Sequence, residues 1–279
     1  MKIVFWSNEF EKSGAFLNFA AISIASVIQY PYIITILENY LGKENLGKAF
    51  FNNDITLKAR YRGTGFYDGE GIETLLRRIY RGDNHSGLLR DYIKEVISEH
   101  LYYIPQDNVI NSELFDYELY HNLDKLFALI EKNTDLCYIN TTQQNHLSSN
   151  AILQEADLIV INLFQDSGYL DNFFKNYSSL LPKSLFLIGN YSQSSFMSCK
   201  RIAKHYNIPL EDISPIPYNE EFDVACNYGG AKEFINRNYA CSKENPNYLF
   251  IHGVRRAAYT ISKKAETFLS KEEIGHCGI

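Results

Sequence analysis

Short runs of apolar residues recur along the chain and alternate with longer segments in which apolar residues are spaced as on one face of a helix. The runs lie at residues 3–6, 32–37, 101–104, 136–139, 158–161, 185–188 and 213–217. A strand that is apolar at every position is buried on both faces, as in a parallel sheet between two layers of helices. The pattern therefore predicts the α/β class, with a three-layer architecture in which a mostly parallel central sheet has helices on both faces.

Helical spacing marks the segments between these runs. It predicts helices at residues 14–29, 72–80, 88–99 and 112–132, and further helices from residue 232 onward. No repeat, low-complexity segment or linker divides the chain. We therefore expect residues 1–279 to form a single domain.

The last predicted helix spans residues 247–270 and is amphipathic. Basic residues such as Arg255 and Lys263 stand beside apolar ones, a combination also found in helices that lie on membrane surfaces. However, the apolar stripe is narrow and Gly253 interrupts the first turns. We therefore favour a terminal helix packed on the sheet, with its charges in water, over a peripheral membrane contact.

Composition narrows the classes of function. The net charge of −6 disfavours a dedicated nucleic-acid binder, which usually carries a basic balance. The five cysteines are scattered, and none forms a C-x-x-C pair. The histidines at positions 85, 146 and 252 stand alone, none of them at metal-ligand spacing to a cysteine or to another histidine, so no metal site is indicated. Acidic residues appear early and no cleavage site follows, so we expect no signal peptide and a cytoplasmic protein with reduced thiols.

The junction between the first strand and the first helix carries the candidate chemistry. In α/β proteins this turn is where a glycine-rich loop often binds phosphate. Here the segment SNEFEKSGAF, residues 7–16, contains a single glycine, Gly14, and the next residue is Ala15 instead of a lysine. The chain thus has a phosphate-loop position without the residues that usually operate it.

Several motifs occur in the order and spacing typical of one family. They are the first strand–loop–helix, the strand YIITILENY followed by NLGKAF, the strand end INTT, and then EADLIVIN, LFLIGNY and IPYNEEF. In this arrangement the chain resembles the MinD/ParA-like P-loop ATPases from Lys2 to about Tyr259. It is most similar to a divergent branch of that family that includes the TadZ/CpaE pilus-localisation proteins.

The resemblance implies a phosphate loop of the form KGGxGK[ST]T, and its first half is altered here. With the last glycine on Gly14, the signature lysine falls on Phe10, and the two early glycines fall on Glu11 and Lys12. Ser13 occupies the variable position. Side chains at the two early glycine positions hinder close approach of the backbone to a phosphate.

The positions after Gly14 are altered as well. The lysine that contacts the β- and γ-phosphates is replaced by Ala15, and the hydroxyl that holds Mg²⁺ is replaced by Phe16. Glu11 adds a carboxylate, which repels a triphosphate. The resemblance therefore implies a degenerate Walker A loop and a pseudo-ATPase that needs no cofactor, with room only for weak ATP or ADP binding.

Four further positions complete this vestigial nucleotide pocket by resemblance. Glu38 stands where the family carries an aspartate that helps to activate water, and Asn140 where it carries an aspartate that supports Mg²⁺. Asn190 and Pro217 match positions that flank the adenine, and they also fit a strand-end cap and a turn. We expect neither catalytic residues nor metal ligands in this set.

The resemblance implies a scaffold or positioning factor for a pilus, secretion or conjugation machine. Its partners would be proteins of that machine and a second copy bound across the nucleotide face. One alternative is an atypical active ATPase that uses Lys12 for the missing lysine and Glu38 to activate water. Another is a DNA-partitioning accessory protein that works through the arginines of segment 77–90. The acidic neighbours of that segment favour a solvated face or a protein contact over DNA.

Overall fold

The apolar runs form the strands of a central sheet. The computed structural model describes residues 1–10, 12–39, 46–52, 69–85, 87–106, 111–142 and 146–276. The strands within these residues are β1 (Lys2–Trp6), β2 (Ile34–Asn39), β3 (Lys94–Ile97), β4 (Leu101–Tyr103), β5 (Leu136–Thr141), β6 (Leu158–Leu163), β7 (Ser184–Ile188) and β8 (Ile213–Pro215). Their order is β3–β4–β2–β5–β1–β6–β7–β8, and neighbouring strands are parallel except β3 and β4.

Helices cover both faces of the sheet. In the described residues they are α1 (Ala15–Gln29), α2 (Leu46–Phe50), α3 (Ile72–Tyr80), α4 (Ser112–Glu131), α5 (His146–Glu155), α6 (Ser167–Asn176), α7 (Cys199–Tyr206), α8 (Glu220–Asn227), α9 (Ala231–Asn238) and α10 (Tyr248–His276). Short 3₁₀ turns at Leu89–Tyr92, Ser178–Lys183 and Leu210–Asp212 lead into β3, β7 and β8.

The period-two alternation of the strands divides the core into two layers. Ile3 and Phe5 of β1 pack in one hydrophobic cluster with α1, α2, α8, α9 and α10. Val4 and Trp6 point to the opposite face and pack with α3 to α7. Both layers are built mainly of apolar side chains, which explains why the strands are largely apolar on both faces. The structure confirms the predicted three-layer α/β architecture.

The long terminal helix α10 packs against α1. The buried residues of α10 include Phe250, Val254 and Ala257, and α1 is buried along most of its length. The helix continues through Gly253. A Cβ at this position would lie 2.5 Å from the carbonyl oxygen of Pro215. This glycine allows close contact with the end of β8 and does not interrupt the helix. None of the helices in the described part of the chain is long and apolar enough to cross a bilayer.

The prediction of a helix at residues 88–99 is wrong. This segment forms the turn Leu89–Tyr92 followed by the edge strand β3. The β-branched residues Ile93 and Val96 favour a strand, and β3 pairs antiparallel to β4 through a turn in which Glu99 has φ 63°. The spacing of apolar residues in so short a segment fits a helix and an edge hairpin equally well.

Candidate functional site

The loop between β1 and α1, residues 7–14, lies at the carboxyl edge of the sheet. β1 stands between β5 and β6. From β1 the chain continues through α1 to β2 on one side, whereas the connections from β6 onward build the other side of the sheet. This edge is therefore a topological switch point, where open α/β sheets usually bind their ligands.

Two buried serines close the loop upon itself. The Oγ atoms of Ser7 and Ser13 lie 3.0 Å apart. Ser7 Oγ donates a hydrogen bond to the carbonyl of Asn162 at 2.8 Å and accepts one from the backbone amide of Glu9 at 3.1 Å. The Ser13 amide donates to the Glu9 carbonyl at 3.1 Å. Two backbone amides of the loop are thus bonded within the loop itself.

Residues at the ends of β6 and β7 hold the loop from outside. Asn162 donates its Nδ2 to the Ser13 carbonyl at 2.6 Å, and its Oδ1 accepts from Asn18 Nδ2 at 2.9 Å. The side-chain amide of Asn190 donates a hydrogen bond to the Lys12 carbonyl at 2.9 Å. Gly189 lies directly against the loop, because a Cβ there would be 1.8 Å from the Ser13 carbonyl oxygen.

These contacts determine what the loop can bind. A phosphate cradle presents consecutive backbone N–H groups to its ligand. In this loop, the carbonyls of Lys12 and Ser13 instead face side-chain amides, and the amides of Glu9 and Ser13 are engaged internally. The buried cluster of Ser7, Ser13, Asn18 and Asn162, called here the Ser–Asn cluster, therefore stabilises a closed loop.

Apolar side chains open α1 at the positions where the resemblance implies phosphate and Mg²⁺ ligands. Gly14 precedes the helix in the left-handed region, with φ 64°, and no side chain caps the helix. Ala15 is 7% exposed and Phe16 is 9% exposed, and Phe16 belongs to the core of the α1 layer. Neither residue offers a polar side-chain group to a nucleotide. Glu11 lies outside the described residues.

Lys12 is engaged by α6. Its Nζ donates to the Tyr169 hydroxyl, lies 4.7 Å from the centre of the Tyr169 ring and stands 4.0 Å from a carboxylate oxygen of Glu9. The hydrogen bond to Tyr169 raises the pKa of Lys12. The side chain is 58% exposed, so these contacts contribute little to stability.

Glu38 and Asn140 lie side by side at the ends of β2 and β5. Glu38 is buried, and its carboxyl group accepts from the Tyr103 hydroxyl at 2.9 Å and from the Leu46 amide at 3.2 Å. Burial raises the pKa of Glu38 to about 8, against the opposing effect of these two hydrogen bonds. The carboxyl group is therefore largely protonated at neutral pH, and its burial and its hydrogen bonds to Tyr103 and Leu46 weigh against a role in activating water.

Asn140 is also buried, and its Nδ2 has no hydrogen-bond partner among the described residues. An amide nitrogen at this position cannot serve as a Mg²⁺ ligand, and the amide lacks the charge of an aspartate. The described residues contain no group of three or more histidine, cysteine or acidic side chains that could hold a metal ion. The cysteines at 137, 199, 226 and 241 are free thiols.

Two clefts flank the loop. The smaller one, the Asn190 cleft, has a volume of about 180 Å³ and is lined in part by Gly14, Phe16, Asn190 and Tyr218. Pro217 precedes Tyr218 but does not line this cleft. Pockets for drug-sized ligands typically measure roughly 300–1,000 Å³. The sequence-predicted residues Gly14, Phe16 and Asn190 therefore do come together, around a space smaller than a nucleotide usually occupies.

The larger one, the Tyr169 cleft, has a volume of about 370 Å³. Its lining includes the carboxylates of Glu9 and Asp166, the amides of Asn8 and Asn172, and the rings of Tyr169 and Tyr177. This cleft is not evident from the sequence. Its residues come from the β1–α1 loop, from α6 and its N-cap, and from the turn after α6, and no motif connects these segments.

The Ser–Asn cluster could not be predicted from the sequence pattern either. Asn18 sits in an apolar helix and Asn162 at the end of an apolar strand, and 144 residues separate them. One signal was available, because a polar residue inside a run that is otherwise apolar needs a buried hydrogen-bond partner. The sequence pattern does not identify that partner.

The arginine-rich segment 77–90 carries paired charges. Arg78 donates to Asp83 at 2.8 Å, and Arg77 lies 4.0 Å from a carboxylate oxygen of Glu118. Arg78 also lies 3.7 Å from Asp91. These carboxylates offset the positive potential that a DNA-binding face requires.

No protein-family model matches this sequence, and no curated protein sequence matches it. Solved structures do match it across nearly the whole chain. A ParA family ATPase from Chlorobium tepidum TLS is 11% identical, with a TM-score of 0.67, over 92% of this chain and 98% of that one. The septum site-determining protein MinD of Pyrococcus horikoshii OT3, complexed with Mg-ADP, is 14% identical, with a TM-score of 0.65, over 95% of this chain and 98% of that one.

A third match is the MinC:MinD cell division protein complex of Aquifex aeolicus. It is 11% identical, with a TM-score of 0.64, over 94% of this chain and 96% of that one. At these levels of identity the matches establish the fold. The protein has the α/β fold of the ParA and MinD ATPases.

Proposed function

We propose that this protein is a MinD/ParA-like scaffold or positioning factor that does not hydrolyse ATP. The observation that carries the proposal is the closed β1–α1 loop, in which the amides of Glu9 and Ser13 are bonded within the loop and Asn162 holds the Ser13 carbonyl. A triphosphate would have to break these buried hydrogen bonds before it could bind. Each buried polar group left without a partner costs roughly 1–3 kcal/mol.

The residues around the loop support the same proposal. Ala15 and Phe16 provide no group for phosphate or Mg²⁺, and Phe16 is packed in the core. Glu38 is protonated at neutral pH and tied to Tyr103 and to the start of α2. We infer that Glu38 supports the structure and does not activate water, which weighs against the alternative of an atypical ATPase.

The fold and the proteins that share it support the proposed role. The Aquifex aeolicus match is a complex of MinD with a protein partner, MinC. We propose that the present protein likewise works by binding proteins, as a homodimer and as part of a pilus, secretion or conjugation machine of the kind served by the TadZ/CpaE branch. The degenerate Walker A loop makes the dimer independent of nucleotide.

The test is nucleotide binding and turnover. We expect a fluorescent ATP analogue with Mg²⁺ to show no saturable signal up to about 1 mM, and we expect no phosphate release above background. Substituting Ala15→Lys alone should not produce binding, because the loop stays closed. Saturable binding together with phosphate release that is lost in Lys12→Ala would establish the atypical ATPase instead.

The same samples test the dimer. Light scattering is expected to give the mass of a dimer both with and without Mg-ATP. A protein that is monomeric alone and dimerises only when Mg-ATP is added would contradict the proposal, since its dimer would then depend on a working nucleotide site.

A further inference from the structure

We propose that the Tyr169 cleft is a docking site for a lysine or arginine side chain on a peptide segment of a partner protein, and that Lys12 occupies the edge of this cleft as an intramolecular competitor. Only the biological meaning of this site rests on the proposed scaffold role. Binding of a basic peptide at the cleft does not depend on whether the protein binds ATP.

The lining of the cleft matches a cationic side chain. Glu9 and Asp166 supply carboxylates, while Tyr169 and Tyr177 supply aromatic faces. Carboxylates form charge-assisted hydrogen bonds with guanidinium and ammonium groups, and tyrosine rings attract the same cations through their π faces. The lining carries two carboxylates, and the ammonium group of Lys12 beside it is already engaged by Glu9 and Tyr169, which together disfavour a phosphate-containing ligand.

Aromatic contacts hold the two tyrosine rings, and Tyr177 also packs against the core. The Tyr177 ring lies 4.9 Å from the Trp6 ring and is stacked on Phe173 at 5.9 Å. The Tyr169 ring packs against Phe164 at 4.5 Å. These contacts hold the rings in place before a ligand arrives, which lowers the conformational entropy lost on binding.

Asp166 is fixed in the same way. Its Oδ1 accepts the backbone amide of Tyr169 at 3.2 Å and so caps α6. The residue that supplies a carboxylate to the cleft therefore also begins the helix that carries Tyr169. This arrangement ties the position of the carboxylate to that of the ring.

The ammonium group of Lys12 already lies against two residues that line this cleft. It contacts the Tyr169 hydroxyl, lies 4.7 Å from the ring centre and stands 4.0 Å from Glu9. Because this side chain is 58% exposed, little free energy opposes its displacement by an incoming cation. A basic residue of the partner would therefore take the place of the Lys12 ammonium group beside Tyr169 and Glu9.

The size and the amides of the cleft favour a peptide over a free amine. A volume of about 370 Å³ exceeds what one lysine or arginine side chain needs and leaves space for flanking backbone. Asn8 and Asn172 each offer a donor and an acceptor, which match the C=O and N–H groups of a peptide. A basic peptide can therefore use all three kinds of group in the lining.

The experiment measures fluorescence anisotropy of a labelled heptapeptide of glycine and serine that carries two arginines, with a peptide carrying two glutamines in their place as control. We expect saturable binding of the arginine peptide, weakened about fivefold between 50 and 300 mM NaCl as the charges are screened, and no binding of the glutamine peptide. Equal binding of the two peptides would overturn the proposal.

Variants locate the binding at the cleft. The double substitution Glu9→Gln and Asp166→Asn is expected to weaken binding about tenfold, and asparagine retains the helix cap. Lys12→Met is expected to strengthen binding about threefold by removing the competitor. Glu211→Gln, which removes an exposed carboxylate just before β8 at the opposite edge of the sheet, is the matched control and should change nothing.

Two results would overturn the proposal in distinguishable ways. Unchanged affinity in the double variant, with its thermal unfolding intact, would exclude the cleft as the site. Spermidine or free arginine competing as strongly as the peptide would exclude a peptide as the occupant. Neither result bears on ATP binding, so the proposed function is tested separately.

Discussion

Raising the pH from about 5.5 to about 8.5 is expected to lower the free energy of unfolding by on the order of 3 kcal/mol through Glu38 alone. The pKa of this buried carboxyl group is about 8 in the folded protein, whereas its ordinary value is 4.5. The unfolded chain therefore ionises first as the pH rises. Stability is fully present below the ordinary pKa and is lost between there and about pH 8, above which both states are ionised.

The substitution Glu38→Gln tests this expectation. Glutamine keeps an oxygen that can accept from Tyr103 and Leu46 but cannot ionise, so the stability of the variant should decline less with pH by about the same 3 kcal/mol. Urea unfolding at several pH values measures the difference. Glu211→Gln, at an exposed carboxylate, is the control and should leave the pH profile of the protein unchanged. Parallel profiles for the protein and Glu38→Gln would show that Glu38 ionises normally.

Replacing Gly189 by alanine is expected to destabilise the protein by about 3 kcal/mol. The added Cβ would lie 1.8 Å from the Ser13 carbonyl oxygen and 2.7 Å from Asn18 Nδ2. The first of these is a backbone atom in a loop held by buried hydrogen bonds, so it cannot move without breaking the Ser–Asn cluster. The backbone of Gly189 is also held in place, because its amide donates a hydrogen bond to the Leu163 carbonyl at 2.8 Å.

The urea concentration at the midpoint of unfolding measures this loss. Gly87→Ala is the matched control, because a Cβ there meets its nearest neighbour, an atom of the His85 ring, at 3.4 Å, an ordinary contact. That variant should stay within about 0.5 kcal/mol of the unmodified protein. A Gly189→Ala protein that unfolds at the same midpoint would mean that the loop does not pack against β7 as described.

The sheet could be predicted from the sequence because its signal is local. In runs such as residues 158–161, every side chain is apolar, and that property alone indicates a strand buried on both faces. The hairpin of β3 and β4 could not be predicted in the same way. Its apolar spacing fits a helix as well, and its strand is defined by pairing with Tyr102 and Tyr103.

The site was predictable only in its position. Gly14, Phe16 and Asn190 do lie around one cleft, and the order of strands places the loop at the switch point. The sequence does not show the long-range pairing that closes the loop, since Asn18 of α1 and Asn162 of β6 meet only in the folded protein. Likewise, the raised pKa of Glu38 depends on burial that no motif encodes.

The closed loop has a consequence for how such a protein can evolve. Its carbonyls are held by Asn162 and Asn190 from two different strands, and Gly189 fits only against the present backbone. A mutation that introduced a lysine at Ala15 would place an ammonium group at a position that is 7% exposed, with no phosphate cradle to receive it. Substitutions at these positions are therefore epistatic: several must change together, and each intermediate sequence is less stable than its parent. The packing beneath the loop therefore opposes any single substitution toward a phosphate-binding loop.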